Sequence, residues 1–517
     1  MFRKLFSKPI SFFVALIAYS AISLVLFHAP LLHYILNHQG GFGIVLSASI
    51  VYICATNMLF IAFSMLGNRF MQVLMALFSV GNAIAFYYIH TYHVFLTKNM
   101  MGNVLNTNAH EAGELLGGWL WIYVLIGLGV GAFFYALSIK KAKFKIKAWV
   151  FAGSLALCAI WALSHAKQWL FFDHHAKYIG GLVLPYSYSV NAVRVALASL
   201  HQSPPKLLDN IHLESNKAVV ILAIGESARR ANYGIYGYTR ATTPKLQERL
   251  NRHEILALQA TSCATYTTAA LSCILTSQKG YENLPSFLHR QGVKVVWLSL
   301  NSAEPPMSID WKPSKDIWQK WLKSQGVEAK VLDFDVALAH ALPFLMARYP
   351  DDNLLIVLHL KGSHGPLYVD KIPHNFAPFK PICTNSEPST CDLKSLVNAY
   401  DNTIAYNDLV LDTMINTLQH TQRQALLLYM SDHGESLGEH GLYLHGTPFL
   451  LAPNFQKEVP FVVYANDPFR KAHAFKPLQN QYSQEMIFPS ILGAFGVQGS
   501  SNAYNPNLDI FKPYGQH

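Results

Sequence analysis

The sequence predicts a chain of two parts, a five-helix transmembrane domain followed by an exported α/β domain. Two observations lead to this prediction. Of the 517 residues, 51% are hydrophobic, and the excess lies almost entirely before residue 165. From residue 217 onward, short apolar runs alternate with helical patterns. The chain is therefore too apolar for an ordinary soluble protein and too long for one small domain.

Five stretches in the first part approach the roughly 20 apolar residues that a helix needs to span a bilayer. They are Ser11–Leu36, Gly43–Leu66, Phe70–Leu96, Leu116–Ile139 and Ala148–Ser164. The first stretch is too long for a cleaved signal peptide and lacks a small-residue cleavage site, so we interpret it as an anchor. We expect a transmembrane domain over residues 1–165.

The placement of basic residues predicts the orientation of the spans. Lysine and arginine precede span one and occupy the loops after spans two and four: Arg3, Lys4, Lys8, Arg69, Lys140, Lys141, Lys143, Lys145 and Lys147. The loops 37–42 and 97–115 carry one lysine against two glutamates. Because basic loops stay in the cytoplasm, everything after Ser164 is expected to be exported. Much of the net charge of +10 then reports topology, and we expect no nucleic-acid partner.

Cysteine usage agrees with export of the second part. Cys54 and Cys158 fall inside predicted spans, where we expect inert packing residues. An oxidising compartment permits disulfides, and four cysteines allow three pairings. Closeness along the chain favours the pairs Cys263–Cys273 and Cys383–Cys391.

Residues 166–216 are predicted to form a linker. Aromatic residues mixed with lysine and histidine near its start suit a segment that lies on the membrane interface. An ordinary amphipathic linker explains the same composition equally well.

Residues 217–517 are predicted to form one α/β domain. Five short apolar runs are typical of buried strands: Ala218–Ile224, Val293–Leu300, Leu354–Leu360, Ala425–Met430 and Val459–Tyr464. Alternation of such runs with helical patterns favours a mostly parallel sheet with helices on both faces.

Candidate metal ligands follow two of these runs. Asp432 and His433 come after a buried strand, where ligands collect in open α/β sheets, and Gly434 permits a tight backbone. Carboxylate and imidazole together make half of a zinc or manganese site. Glu226 at the end of the first strand can complete such a site, although a glutamate that caps the following helix fits equally well.

A hydroxyl-rich segment, residues 261–273, precedes a helix-friendly stretch. A helix N-terminus favours a phosphate, and a hydroxyl near a divalent metal becomes a nucleophile. A Ser/Thr-rich turn held by a disulfide is the alternative.

His364 and His445 each lie beside a glycine. A single histidine is more often structural, but two histidines near these strand ends favour a functional site. Together these residues indicate two-step group transfer.

These motifs resemble the phosphoethanolamine transferases that modify lipopolysaccharide, a family that includes transferable colistin (polymyxin) resistance enzymes. The resemblance implies an exported domain of the alkaline phosphatase and sulfatase superfamily. It implies a catalytic Thr267, four residues after Cys263 and six before Cys273. The implied ligands of one or two zinc ions are Glu226, Thr267, Asp432 and His433, with His364 and His445 binding substrate or the second zinc.

The resemblance also implies a substrate-binding role for the loop after span three. Asn103, Thr107 and Glu111 are spaced by four, which puts them on one helical face, and in the family such residues line the lipid-substrate site. One departure concerns Asn301–Pro306, where many family members carry a substrate-contacting lysine that this chain lacks. The departure leaves the acceptor open.

The resemblance implies a multi-pass bacterial inner-membrane enzyme, expected to be a monomer, with its catalytic domain in the periplasm. It would transfer phosphoethanolamine from phosphatidylethanolamine to lipid A or another envelope acceptor, such as the lipopolysaccharide core or a surface protein, through a covalent phosphoethanolamine–threonine intermediate. A phosphoglycerol transferase or a phosphodiesterase remains an alternative, as does a non-catalytic envelope sensor or scaffold. A sulfatase is disfavoured because no Cys-x-Pro-x-Arg or Ser-x-Pro-x-Arg segment surrounds Thr267.

Overall fold

The chain divides into two compact units. The computed structural model describes residues 8–38, 40–106, 113, 115–200, 204–209, 211–477, 482–499 and 504–513. The first unit comprises Met1–Gly102 and Leu116–His201, and the second comprises Asn103–Leu115 and Gln202–His517.

Helices make up the N-terminal part of the chain. They are α1 (Phe12–Phe27), α2 (Ala29–Asn37), α3 (Gly41–Phe63), α4 (Asn68–Tyr92), α5 (Lys98–Asn106), α6 (Leu120–Ala136), α7 (Phe144–Ser164), α8 (Ala166–His174), α9 (Ala176–Leu182) and α10 (Tyr186–Leu200). The last three occupy the segment predicted as a linker, which is therefore mostly helical.

Three described helices are long and apolar enough to cross a membrane, namely α4, α7 and α3 with the helical turn that follows it. Helices α1 and α2 make a fourth candidate if they form one span, bent by 62°. Pro30 in the first turn of α2 has no N–H to continue the hydrogen bonds of α1. With 17 residues, α6 is short for a span. A helical membrane region is confirmed, and the number five remains a prediction.

The second unit is built around a seven-stranded sheet. Its strands in the order of the sheet are β11 (Tyr482–Ser483), β3 (Ile255–Thr261), β9 (Glu458–Ala465), β6 (Ala425–Ser431), β2 (Val219–Gly225), β5 (Leu354–His359) and β4 (Lys294–Ser299). Short two-stranded pairs join β1 (Ile211–His212) to β12 (Gln498–Gly499), β7 (Ser436–Leu437) to β8 (Tyr443–Leu444) and β10 (His473–Phe475) to β13 (Phe511–Pro513).

Most of the sheet is parallel, as predicted. Strands β4, β5, β2 and β6 run parallel to one another, whereas β9 is antiparallel to both β6 and β3. All five predicted strands are present, and each of their ends lies within one residue of the prediction. The prediction lacked β3, because only Ile255 and Ala260 are buried there and no continuous apolar run marks the strand.

Both faces of the sheet are covered by apolar side chains. Alternate residues of β2 enter two separate cores: Val219 and Ile221 pack on one face, Val220 and Leu222 on the other. The helices of this unit are α11 (Pro244–Asn251), α12 (Thr267–Leu275), α13 (Leu284–Arg290), α14 (Lys315–Ser324), α15 (Val336–Arg348), α16 (Leu393–Gln419), α17 (Asp467–Ala472) and α18 (Ile487–Ala494). This burial on two faces explains why the central strands are continuously apolar.

Strand register aligns the carboxyl ends of the parallel strands. Gly225 pairs with Ser431, so that the residues after β2 and β6 emerge side by side. His359 at the end of β5 lies beside Ile224 on one side and Ser299 on the other. Polar residues that are far apart in sequence therefore meet at one edge of the sheet.

Candidate active site

Four predicted site residues meet at this edge. The Thr267 hydroxyl lies 3.2 Å from Glu226 Oε2 and 3.4 Å from His433 Nε2. The same His433 nitrogen lies 3.3 Å from Glu226 Oε1 and 3.2 Å from Asp432 Oδ2. Glu226, Asp432 and His433 are fully buried, and Thr267 is 8% exposed. The cluster therefore has one hydroxyl, two carboxylates and one imidazole, largely shielded from solvent.

Tight backbone approaches hold the two strand ends together. The backbone N–H of Ser227, which has a φ of 54°, donates to Asp432 Oδ1 at 3.0 Å. A side chain at Gly434 would overlap the carbonyl oxygen of Phe455, so only glycine fits there. At Gly362, with a φ of 56°, a Cβ would lie 2.5 Å from the Glu226 carbonyl oxygen. Both glycines therefore permit close packing of loops around the metal-ligand candidates.

Thr267 is the first residue of α12. The loop before it is tied down at two points: Cys263 is disulfide-bonded to Cys273, and the Thr265 hydroxyl donates to the carbonyl of Thr447 at 2.6 Å. The second disulfide joins Cys383 to Cys391. Because the loop is held in this way, the Thr267 hydroxyl has a defined position before any substrate arrives.

The donor set fits a divalent cation. Glu226, Asp432 and His433 each offer a ligand atom, and these atoms lie within 4.8 Å of one another. Among the described residues, buried Asp432 Oδ2 has no hydrogen-bond partner. His433 Nδ1 lies 3.0 Å from the Gly434 carbonyl, which can only accept, so the proton lies on Nδ1 and Nε2 faces the carboxylates. A buried carboxylate oxygen that accepts no hydrogen bond and an imidazole nitrogen beside it are both ligand types that zinc uses in proteins.

The pKa shifts of the two buried carboxylates also favour a bound cation. Burial, together with the neighbouring Glu226, raises the pKa of Asp432 well above its usual range. Burial also acts to raise the pKa of Glu226, but His433 and, more weakly, His364 and His445 outweigh it and hold that pKa well below the usual range. Two buried carboxylates that each lie within 3.3 Å of His433 Nε2 repel each other, and this repulsion favours the protonated form of Asp432. A divalent cation would remove the repulsion and ionise both.

The two remaining predicted histidines border the cluster. The ring centre of His445 lies 4.3 Å from that of His433 and 5.4 Å from that of His364. Burial lowers the pKa of His364 to about 3, and its Nδ1 is buried without a hydrogen-bond partner among the described residues. A neutral imidazole can bind a metal or accept a proton.

Glu435 is a site residue that the sequence interpretation missed. Its fully buried Oε2 accepts a hydrogen bond from His445 Nδ1 at 2.9 Å, and its Oε1 accepts one from the Tyr368 hydroxyl, also at 2.9 Å. Glu435, His433 and His445 also form a second group of possible metal ligands. The only sequence signal was a carboxylate two residues after Asp432-His433.

The segment without the family lysine also reaches the site. Asn301 Nδ2 donates to Glu226 Oε2 at 2.6 Å and to the Leu360 carbonyl at 3.2 Å. Glu304 Oε1 lies 3.5 Å from Nδ1 of buried His359. Although burial acts in the opposite direction, His359 lowers the pKa of Glu304 to about 2. The segment that lacks the family lysine therefore carries an ionised glutamate paired with a histidine.

Asn103 belongs to the second unit, and its Oδ1 accepts a hydrogen bond from the Thr268 hydroxyl at 3.2 Å. Thr268 directly follows Thr267, whose hydroxyl contacts Glu226. Thr107 and Glu111, predicted to share the helical face of Asn103, lie outside the described residues.

Known families and proteins match both parts of the chain. Residues 218–497 match the Sulfatase family, and residues 52–200 match the family described as Phosphoethanolamine transferase EptA/EptB. A Phosphoethanolamine transferase EptA of Helicobacter pylori is 42% identical over 521 residues, which cover 99% of each chain. The chain belongs to the EptA family of phosphoethanolamine transferases. The resemblance drawn from the motifs is confirmed.

A solved structure and a second relative extend the comparison. The EptA-family chain matches the integral membrane protein lipooligosaccharide phosphoethanolamine transferase A (EptA) of Neisseria meningitidis with a TM-score of 0.84 and 25% identity, over 97% of this chain and 99% of that one. A Kdo(2)-lipid A phosphoethanolamine 7''-transferase of Escherichia coli is 31% identical over 308 residues, covering 57% of this chain and 53% of the relative. Membership in the EptA family thus extends over the whole chain.

Proposed function

We propose that this EptA-family enzyme transfers phosphoethanolamine from phosphatidylethanolamine to lipid A through a covalent intermediate on Thr267. The position of the Thr267 hydroxyl, 3.2 Å from Glu226 and 3.4 Å from His433, carries the proposal. Its neighbours are metal-ligand candidates, and the relatives named above act as phosphoethanolamine transferases. A hydroxyl at such a site is well suited to nucleophilic attack on phosphorus.

The proposal includes a zinc ion held by Glu226, Thr267, Asp432 and His433. When bound, zinc would lower the pKa of the Thr267 hydroxyl and neutralise charge on the phosphate. The chain's own contribution is positioning. The Gly434 carbonyl fixes the tautomer of His433, and Asn301 fixes one oxygen of Glu226. His364 and His445 would bind the phosphate or a second zinc ion.

The reaction would proceed in two displacements. In the first, Thr267 Oγ forms a bond to phosphorus, the bond from phosphorus to the glycerol oxygen breaks, and diacylglycerol leaves with a proton. In the second, a phosphate oxygen of lipid A forms a bond to the same phosphorus, the bond from phosphorus to Thr267 Oγ breaks, and the threonine oxygen takes back a proton. His364 and His445, both bordering the cluster, are the candidates for moving the protons. Because Glu226, Asp432 and His433 are fully buried, the site would exclude water and thereby favour transfer over hydrolysis.

We further infer a multi-pass protein of the bacterial inner membrane, with five spans over residues 1–165 and a monomeric state. The basic loops support a cytoplasmic N-terminus, which would export the linker at 166–216 and the catalytic domain at 217–517 to the periplasm. The two disulfides suit an oxidising compartment. Asn103, Thr107 and Glu111 would contact the lipid substrate.

Replacing Thr267 with alanine tests the proposal. The T267A variant removes the hydroxyl together with the γ-methyl group and should fold normally, yet lose transfer of labelled phosphoethanolamine to lipid A to below about a thousandth of wild type. S272A, which removes an exposed hydroxyl from the same helix, is the matched control and should remain active.

Mass spectrometry of the trapped protein completes the test. Wild-type protein incubated with phosphatidylethanolamine alone should carry one phosphoethanolamine group on Thr267, and T267A should carry none. Normal turnover by T267A would disprove the covalent mechanism. Rapid release of free phosphoethanolamine by the wild type, with or without lipid A, would indicate a phosphodiesterase instead.

A further inference from the structure

A cationic cavity lies within the first unit, separate from the cluster around Thr267. Its volume is about 470 Å³, within the range of pockets that hold small ligands. Lys98, Lys177 and Arg194 line it, contributed by α5, α9 and α10. None of the described residues that line it is acidic. Three positive charges therefore share one cavity without a carboxylate in its lining.

Neutral hydrogen-bonding groups complete the lining. Asn99, Tyr186 and Asn191 lie among the cations. Asn191 is anchored because its Nδ2 donates to the Leu96 carbonyl at 2.8 Å, and its Oδ1 accepts from Arg194 Nη1 at 3.4 Å. Among the described residues, the other guanidinium N–H groups of Arg194 make no hydrogen bond. Such a set of donors matches the oxygens of a phosphate group.

An apolar surface adjoins the cations. Val190, Val193 and Leu197 of α10 are each at least half exposed, and their spacing puts them on one helical face. Val190 also lines the cavity. A ligand with a phosphate at one end and hydrocarbon at the other would satisfy both surfaces. A membrane lipid has this structure, and a free phosphate would leave the apolar face uncovered.

We propose that this cavity binds the phosphate of a net-anionic membrane lipid. The charge count selects within that class. A phosphatidylethanolamine head group carries an ammonium beside its phosphodiester, so its net charge is zero and Lys98, Lys177 and Arg194 would repel the ammonium. A phosphate monoester on a glycolipid, at about −1.5 to −2, or an anionic phosphodiester such as that of phosphatidylglycerol, matches the cavity better.

Native mass spectrometry of the full-length protein tests the site. The protein is reconstituted in phosphatidylcholine nanodiscs that contain lipid A, phosphatidylglycerol or phosphatidylethanolamine, and retained lipid is counted after release. The K98Q/K177Q/R194Q variant should retain roughly tenfold less lipid A or phosphatidylglycerol than the wild type. The control K320Q/K323Q/K394Q removes three exposed lysines of the second unit that do not line the cavity, and it should match the wild type.

A second variant blocks the cavity without changing its charge. Gly180 lines the cavity, and a Cβ built on it meets no other atom within 4 Å, so G180L should fold and fill the space. It should lower retention of the same lipids. The comparison of lipid A with phosphatidylglycerol identifies the source of the phosphate. Equal retention of phosphatidylethanolamine, or no difference between the cavity variants and the control, would overturn the proposal. Because lipid is counted without turnover, failure of the proposed transfer reaction would leave this result interpretable.

Discussion

Replacing Glu435 with glutamine tests whether the site depends on a positioned histidine. The E435Q change keeps the shape of the side chain and removes its charge. Glu435 accepts from His445 and from Tyr368, each at 2.9 Å, while fully buried. Glutamine can still accept one of these bonds, but it cannot hold His445 with a charged oxygen. We therefore expect a folded enzyme with a misaligned histidine.

The expected loss of kcat/KM follows from the burial of the His445–Glu435 pair. The side chains of His445 and Glu435 are only 14% and 0% exposed, so solvent screens their interaction little. A hydrogen bond to a charged group in such a site contributes roughly 1.5 to 3 kcal/mol. Since each 1.4 kcal/mol is about a factor of ten in rate, kcat/KM should fall about tenfold to a hundredfold. Losing a residue that orients a ligand has a comparable effect in metal sites.

The assay compares E435Q with E439Q in steady-state transfer to lipid A. Glu439 lies on the same loop but pairs with Arg229 at 2.6 Å and contacts no histidine in any described interaction. E439Q should lower the melting temperature while its kcat/KM stays within about a factor of three. Wild-type kcat/KM in E435Q, or a loss no greater than the fraction of unfolded protein, would refute the reasoning.

Two further predictions concern the metal and the pH. Chelation of the purified protein should lower both its melting temperature and its transfer activity, and added zinc should restore both, because Glu226 and Asp432 repel each other without a cation. The D432N variant should show neither the loss on chelation nor the recovery with zinc. A chelated wild-type enzyme of unchanged activity would contradict this prediction. Burial raises the pKa of Asp509 from 3.8 to about 7, so its contribution to stability is fully present below pH 3.8 and is lost as pH rises through about 7. As pH rises from 4 to 8, thermal melting should show the free energy of unfolding of the wild type falling by at most about 4 kcal/mol relative to that of D509N. Parallel stability curves for the two proteins would exclude Asp509 as the source of the pH dependence.

Local patterns predicted the central part of the fold well. The strands that carry Glu226 and Asp432 are buried on both faces, which makes them continuously apolar and easy to recognise. Strand β3 was missed because it is half exposed, and the antiparallel direction of β9 has no signature in its own residues. The bend between α1 and α2 also lies inside a stretch that reads as one apolar run.

The candidate site was only partly predictable from sequence, because some of its contacts join segments that are distant along the chain. A residue just after a buried strand can be placed at the sheet edge from sequence, because parallel strands end together. The role of Glu435 could not be predicted, since it depends on His445 returning to that carboxylate through β7 and β8. The pairing of Glu304 with His359 likewise joins a loop to the end of β5, 55 positions apart along the chain.

The sequence by itself determined which chemical groups this protein brings to its strand ends and which parts of the chain are apolar enough for a membrane. Composition and short-range periodicity are properties of neighbouring residues, so they can be read directly. The tertiary structure decided how those groups face one another: which oxygen of Asp432 is left unpartnered, which nitrogen of His433 faces it, and that three cations from separate helices share one cavity. These are relations between distant segments, set by strand register and packing, and no local pattern encodes them.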